Sequence, residues 1–162
     1  MNKFKTFLIL FVSFLLQSTI FSKIDIFGAN INLMIPAIVA ISQILGPKIG
    51  GYGGLIVGLL EDFLFTKFIG IRALSYFIIG SFVSSDRFNF GKDKATGAVM
   101  TAFATIFHFI LVSVIYYFLI KQSVTMDYLP IPLLIELALN TLIYLIYIQI
   151  VKKVMYIPTY RI

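Results

Sequence analysis

The chain has 162 residues, of which 60% are hydrophobic and 12% are charged, whereas soluble domains run at about 45–50% apolar and about 25% charged residues. Because such a sequence cannot cover its surface with polar groups, and lipid cannot satisfy free backbone N–H and C=O groups, it predicts membrane-spanning helices rather than a soluble fold. The absence of cysteine excludes disulfides and thiol chemistry, and the net charge of +6 comes from short basic clusters between apolar runs, a pattern that indicates membrane orientation rather than nucleic-acid binding.

Six apolar runs follow one another along the chain and predict one all-α domain over residues 1–162, a six-span helical bundle in a lipid bilayer. The runs are continuous and longer than the alternating strands of about ten residues that a barrel needs. The first run resembles a signal peptide, but no small-residue cleavage site follows it, so we expect a retained span. Gly46-Pro47 divides the second run from the third, because this pair breaks a helix. The predicted spans cover residues 4–21, 31–45, 49–65, 68–83, 95–120 and 133–151.

The basic residues predict the orientation of these spans. With six spans, nine of the 13 Lys and Arg residues fall on one side and four on the other, and the cytoplasmic side of a membrane protein carries the excess. Both termini are therefore expected in the cytoplasm. A five-span alternative would place basic residues of one terminus on the wrong face. The larger set is Lys3, Lys5, Lys48, Arg87, Lys92, Lys94, Lys152, Lys153 and Arg161, and the smaller is Lys23, Lys67, Arg72 and Lys121.

The third span begins with a stripe of glycines. Gly46, Gly50, Gly54 and Gly58 recur every four residues, so successive members are neighbours on a helix surface. Small residues at this spacing let another backbone approach closely, which favours helix association in lipid. Two interpretations stay open: packing between spans of this chain, and contact with a helix of a partner.

Four ionisable residues at similar depth predict a buried charge cluster. Glu61 and Asp62 close the third span, Arg72 lies near the start of the fourth, and Glu136 lies about a turn into the sixth. Unpaired charges are costly inside a membrane and usually face the bundle, so we expect a Glu61–Arg72 or Asp62–Arg72 pair across the short turn. Such a pair could hold the turn, dock a partner or line a transport path.

No residue pattern predicts catalysis, a metal or a cofactor. His108 is the only histidine, whereas a catalytic zinc takes about three protein ligands. A hydrogen bond to a neighbouring helix is its favoured role, with proton relay as the alternative. Asn140, Gln149 and Gln17 are typical of hydrogen bonds between membrane helices. We therefore expect a protein that is not an enzyme.

Several short motifs occur together in the first half of the chain. They are Leu16-Gln17-Ser18-Thr19, Asn32-Leu33, Gly46-Pro47 with the glycines after it, Leu59-Leu60-Glu61-Asp62, and the segment 69–76 running into Gly80. In these motifs, in length and in six-span topology, the chain resembles the bacterial rod shape-determining MreD family. It departs from that family at Ile31, where many members have proline.

This resemblance implies a non-enzymatic subunit of the machinery that elongates the wall of rod-shaped bacteria, in the bacterial cytoplasmic membrane. It implies direct binding of MreC, a single-span protein with an extracytoplasmic coiled coil, and a complex with the MreB filament, the RodA glycosyltransferase and its transpeptidase partner. The family's fold is similar to the substrate-binding subunits of energy-coupling-factor transporters. That similarity supplies the alternative, a vitamin carrier with a pocket lined by Tyr76, Glu136 and Asn140. The sequence does not choose between a monomer and a homodimer.

Overall fold

The computed structural model describes residues 2–83, 93–120 and 130–155. Within them the predicted all-α architecture is confirmed, since six α-helices account for most of the chain. The elements in chain order are α1 (Asn2–Thr19), a short 3₁₀ helix (Phe21–Lys23), β1 (Asp25–Ile26), β2 (Ala29–Asn30), α2 (Met34–Leu45), α3 (Pro47–Phe65), α4 (Ile71–Val83), α5 (Lys94–Ile120) and α6 (Pro130–Val154).

The core of the bundle is α2, which contacts all five other helices. Every residue from Met34 to Gln43 is buried, which is the behaviour of a helix that is apolar on all sides. With 12 residues, α2 is about 18 Å long at 1.5 Å per residue. It is therefore shorter than the hydrocarbon layer of about 30 Å, and so is α4 with its 13 residues.

Within the described ranges, three helices are long and apolar enough to cross a membrane by themselves. They correspond to residues Asn2–Lys23, Lys94–Leu119 and Ile131–Val154. Large apolar side chains on their outer faces, such as Phe4, Phe103 and Leu134, are exposed. The long helices thus present apolar surface outward, whereas the short helices α2 and α4 pack mostly against other helices.

The beginning of α1 lies beside the end of α6. Lys5 Nζ donates a hydrogen bond to the Val154 carbonyl oxygen at 2.7 Å, and Lys3 and Lys48 line one groove between α1 and α3. At the same end, the Gln43 side chain near the end of α2 donates to the Asp93 carbonyl oxygen, just before α5. Both ends of the described bundle therefore lie on one side.

A small β-hairpin joins α1 to α2, which the sequence patterns did not predict. Asp25 pairs with Asn30 and Ile26 with Ala29 in antiparallel register. The two turn residues, Phe27 and Gly28, have φ angles of 53° and 83°, as a two-residue hairpin turn requires. Because each strand has only two residues, the pattern was too short to stand out in the sequence.

Two predicted spans begin later than expected. Run 31–45 becomes helical only at Met34, and run 68–83 only at Ile71. In both cases a polar side chain of another helix binds the backbone before the helix: Gln17 does so before α2, and Asp62 does so before α4. The sixth helix begins earlier than predicted, at Pro130, because prolines are tolerated in a first turn, where N–H groups have no partner within the helix. Most of the polar stretch 84–94 lies outside the described residues.

Candidate functional site

Three of the four predicted stripe glycines lie where helices inside this chain meet. A Cβ built at Gly54 would be 2.6 Å from the Tyr76 carbonyl oxygen of α4, and one built at Gly58 would be 2.6 Å from the Ala73 nitrogen. At Gly50 the Cβ would lie 2.8 Å from the Ser42 Cα in α2. These distances are below any real Cβ contact, so the helix backbones approach too closely for a side chain.

Gly46, the fourth member of the stripe, has a different environment. It lies between α2 and α3 with a φ of 97°, and a Cβ built there would meet nothing within 4 Å. That backbone conformation favours glycine over other residues, and Pro47 begins α3 directly after it. Gly46 therefore forms a turn and belongs to no helix contact.

The α3–α4 contact continues through a glycine that the stripe did not include. A Cβ at Gly80 would lie 2.7 Å from the Gly51 nitrogen, and the Ser42 hydroxyl donates a hydrogen bond to the Gly80 carbonyl oxygen. Small residues thus face each other from both helices. This pattern of facing small residues joins α2, α3 and α4 into one tightly packed unit.

Asp62 caps the start of α4 from the end of α3. Its Oδ2 atom accepts hydrogen bonds from the backbone N–H groups of Gly70, Arg72 and Ala73 at 2.9, 3.0 and 3.2 Å. These amides belong to the first turn of a helix and have no partner inside it. The carboxylate also faces the positive end of the helix dipole. Asp62 therefore holds the turn by binding backbone, and Arg72 has its ion pair elsewhere.

Glu61 forms that ion pair, and its carboxylate is almost completely buried. Arg72 Nη1 lies 3.3 Å from Glu61 Oε2, while the side chains of Glu61 and Arg72 are 1% and 36% exposed. The Tyr76 hydroxyl donates to the same oxygen at 2.9 Å. Glu61 Oε1 has no hydrogen-bond partner among the described residues. The ion pair thus joins a buried carboxylate of α3 to a partly exposed guanidinium of α4.

Asn32 connects this ion pair to the start of α2. Its side-chain nitrogen donates to the Tyr76 hydroxyl at 3.0 Å, and its oxygen accepts from the backbone N–H groups of Met34 and Ile35. An asparagine before an apolar run is a common helix-capping residue. That position was therefore the signal in the sequence from which the cap could have been recognised.

Two amide side chains satisfy the extended backbone before α2. Gln17 donates to the Ile31 carbonyl oxygen at 2.9 Å and accepts from the Leu33 N–H at 2.8 Å. Asn140 accepts from the Asn32 N–H at 3.2 Å. Backbone that is not helical is tolerated at membrane depth only where the protein supplies such partners. These contacts explain how extended backbone can lead into the short helix α2 inside the bundle.

Glu136 does not reach the Glu61–Arg72 pair directly. Its Oε1 atom accepts a long hydrogen bond of 3.5 Å from Asn140, which also donates to the Thr105 hydroxyl. The predicted charge cluster is thus divided between the α3–α4 pair and the α5–α6 contact, with Asn140 between them. Tyr76 and Asn140, which the carrier hypothesis places in a pocket, are both completely buried.

His108 bridges α5 and α4. Its Nδ1 atom lies 2.8 Å from the Ser75 hydroxyl, and its ring stacks on Tyr76 with centroids 5.2 Å apart. Among the described residues, no three His, Asp or Glu side chains are grouped to hold a metal ion. The contacts of His108 are therefore to a hydroxyl and an aromatic ring of the neighbouring helix.

Two apolar grooves open on the surface of the bundle. One, of about 560 Å³, lies between α4 and α5 and is lined by apolar side chains such as Ile78, Phe103 and Phe107. The other, of about 540 Å³, lies between α1 and α3 and has Lys3 and Lys48 in its lining. The two grooves therefore differ in charge.

The fold defines a polytopic α-helical membrane protein. Its buried polar side chains bind helix ends and one another. The chain belongs to the MreD family, since the family model described as rod shape-determining protein MreD matches residues 1–155. It is therefore a rod-shape-determining membrane protein of bacteria. Searches of curated proteins and of solved structures returned no match. The expected similarity to energy-coupling-factor subunits stays a prediction.

Proposed function

We propose that this protein is the non-enzymatic membrane subunit of the cell-wall elongation complex that binds MreC directly. In this role it links the MreB filament to peptidoglycan synthesis by RodA and its transpeptidase partner. Membership of the MreD family supports the proposal. The polar side chains support the non-enzymatic part of the proposal, because Asp62, Asn32 and Gln17 bind backbone groups of this chain.

The α4–α5 groove is the surface that we assign to the membrane helix of MreC. Its lining contains no charged or polar side chain, which suits the uncharged span of a single-pass protein. The buried Ala104 lies between Phe103, which is 64% exposed, and Phe107. The exposed aromatic rings can give a second helix apolar contacts, and the small side chain of Ala104 does not fill the space between them. The groove between α1 and α3 suits a neutral helix less well, because such a helix would leave two lysines unmatched.

Cysteine crosslinking tests this assignment, because the wild-type chain has no cysteine. Single cysteines along the MreC membrane helix are combined with Phe103→Cys in the native membrane and oxidised. We expect disulfides at MreC positions that repeat with the helical period of about 3.6 residues. Absence of any crosslink to position 103, with both proteins present in the membrane, would contradict the assignment.

Leu142→Cys is the matched control. Leu142 is 60% exposed, close to the value for Phe103. The hydrogen bond between Asn140 and Thr105 places the two positions at the same depth, since each lies two residues from that bond. Crosslinks at Leu142 as strong as those at Phe103 would show random collision in the membrane and would also contradict the assignment.

The orientation proposed with this function has both termini in the cytoplasm. The excess of basic residues on one side and the contact between Lys5 and Val154 support it. A reporter that is active only after export, fused after Ile162, should stay inactive, and one that is active only in the cytoplasm should work. The reverse result would overturn the orientation.

A further inference from the structure

The groove between α1 and α3 has an apolar body that follows both helices. Phe7, Phe11 and Phe14 line it from α1, and Tyr52, Ile56 and Leu60 line it from α3. The spacings of three or four residues place each set on one helix face. Gly53 also lines the groove, and its missing side chain leaves room for Leu10 of α1, since a Cβ built there would lie 2.9 Å from Leu10 Cδ1.

One end of this groove carries two positive charges. Lys3 and Lys48 are both exposed there, and neither forms an ion pair within the part of the chain that the structure describes. Lys5, two residues further along α1, instead donates to a carbonyl oxygen of α6. The groove is therefore apolar along its length and cationic at one end.

The length of the groove matches one leaflet of a bilayer. From Lys48 to Leu60 the helix rises through 12 residues, which is about 18 Å, and half of a hydrocarbon layer of about 30 Å is about 15 Å. The groove volume of about 540 Å³ lies in the range of about 300–1,000 Å³ of ligand sites. A chain that lies in the groove with its polar group at the lysines thus reaches the middle of the bilayer.

We propose that this groove binds an anionic phospholipid, with one acyl chain against the aromatic side chains and the phosphate between Lys3 and Lys48. Lysine ammonium groups bind phosphate as point charges, and their aliphatic stems can extend along the apolar wall. A zwitterionic lipid fills the same apolar space but leaves the positive pair only partly neutralised. The selectivity is therefore for the negative headgroup, and it does not depend on the assignment of MreC to the other groove.

A unique fluorescent reporter tests the proposal, because the chain has no tryptophan. Tyr52→Trp places one in the lining of the groove. The protein is reconstituted with phosphatidylglycerol or phosphatidylcholine that carries brominated acyl chains, which quench tryptophan on contact. Each lysine near a membrane surface is worth about fivefold in attraction of an anionic lipid. We expect the brominated anionic lipid to quench the tryptophan of this variant with roughly 25-fold higher relative affinity at low salt.

Two charge variants in the Tyr52→Trp background identify the headgroup site. Lys3→Gln with Lys48→Gln should abolish the preference, whereas Lys152→Gln with Lys153→Gln, which removes the same charge from the last turn of α6, should retain it. Leu142→Trp, on an exposed face of α6, reports on lipid outside the groove and should show little preference. Equal quenching of the groove tryptophan by both lipids, or a preference that survives the loss of Lys3 and Lys48, would overturn the proposal.

Discussion

A single methyl group at Gly54 tests whether the close approach of α3 and α4 holds the bundle together. In Gly54→Ala the new Cβ would lie 2.6 Å from the carbonyl oxygen and 2.9 Å from the carbonyl carbon of Tyr76. Both atoms are backbone, so a rotamer change cannot relieve the contact. The helices must move apart, and a well-packed interface resists such movement at a cost of about 1–3 kcal/mol.

Gly53→Ala is the matched control, one residue earlier on the same helix. Its Cβ would meet only Leu10 Cδ1, at 2.9 Å, and this methyl group is at the end of a flexible side chain. Both substitutions gain about 0.8–1.0 kcal/mol of helix propensity, so this gain cancels when the two variants are compared. The difference in the free energy of unfolding should therefore be about 2 kcal/mol, with Gly54→Ala the less stable variant.

Thermal unfolding of the purified variants in one detergent, followed by far-UV circular dichroism, measures this difference. For a chain of this size, a difference of about 2 kcal/mol corresponds to roughly 4–8 °C in Tm. Gly54→Leu, with a larger side chain at the same contact, should unfold at a still lower temperature and fail to restore rod shape in cells. Equal melting temperatures for Gly53→Ala and Gly54→Ala would refute the claim that α3 and α4 pack through this glycine.

Three further predictions concern the groups that hold helix ends. Asp62→Ala leaves three backbone N–H groups of α4 without their acceptor and should cost at least about 2 kcal/mol, with Asp62→Asn intermediate in a thermal melt. Gln17→Met removes the hydrogen-bond partner of the Ile31 carbonyl and of the Leu33 N–H and should cost about 1–3 kcal/mol for each buried group. Ser18→Ala, which removes an exposed hydrogen bond at the neighbouring position, should melt like the wild type, and the same result for Gln17→Met would show that water replaces the amide. Hydrogen bonds from Thr96 lower the pKa of Asp93 below its usual 3.8, so this capping contribution is present above pH 3.8 and is lost as the pH falls through the lower, folded-state pKa. Thr96→Val removes the hydroxyl donor and keeps the backbone N–H. It should raise the pKa of Asp93 in a carboxyl NMR titration, and an unchanged pKa would show that the hydroxyl hydrogen bond is absent.

The helices and the membrane class could be predicted from local pattern alone. Long apolar runs, the helix break at Gly46-Pro47 and the basic clusters each depend on residues that are close in sequence. For the same reason the four-residue spacing from Gly50 to Gly58 was visible without a structure. The helix limits were less accurate, because α2 and α4 begin where distant side chains bind the backbone.

The division of roles between Glu61 and Asp62 depended on the tertiary structure. The two residues are adjacent and chemically alike, so both were equal candidates for pairing with Arg72. Adjacent residues on a helix point about 100° apart, so Asp62 meets the amides of α4 while Glu61 meets the guanidinium and Tyr76. Which carboxylate caps and which one pairs is set by how α4 packs on α3.

The amino-acid sequence was enough to predict a helical membrane protein with a glycine-rich third helix and few buried charges. The length of the apolar segments and the spacing of the small residues have the same consequences in any fold that keeps those helices in lipid. The packing of the helices was needed to show that Gln17 binds the backbone before α2 and that Lys3 and Lys48 line one groove. These groups are 14 or more residues apart along the chain, and chain position carries no information on contact until the helices have packed.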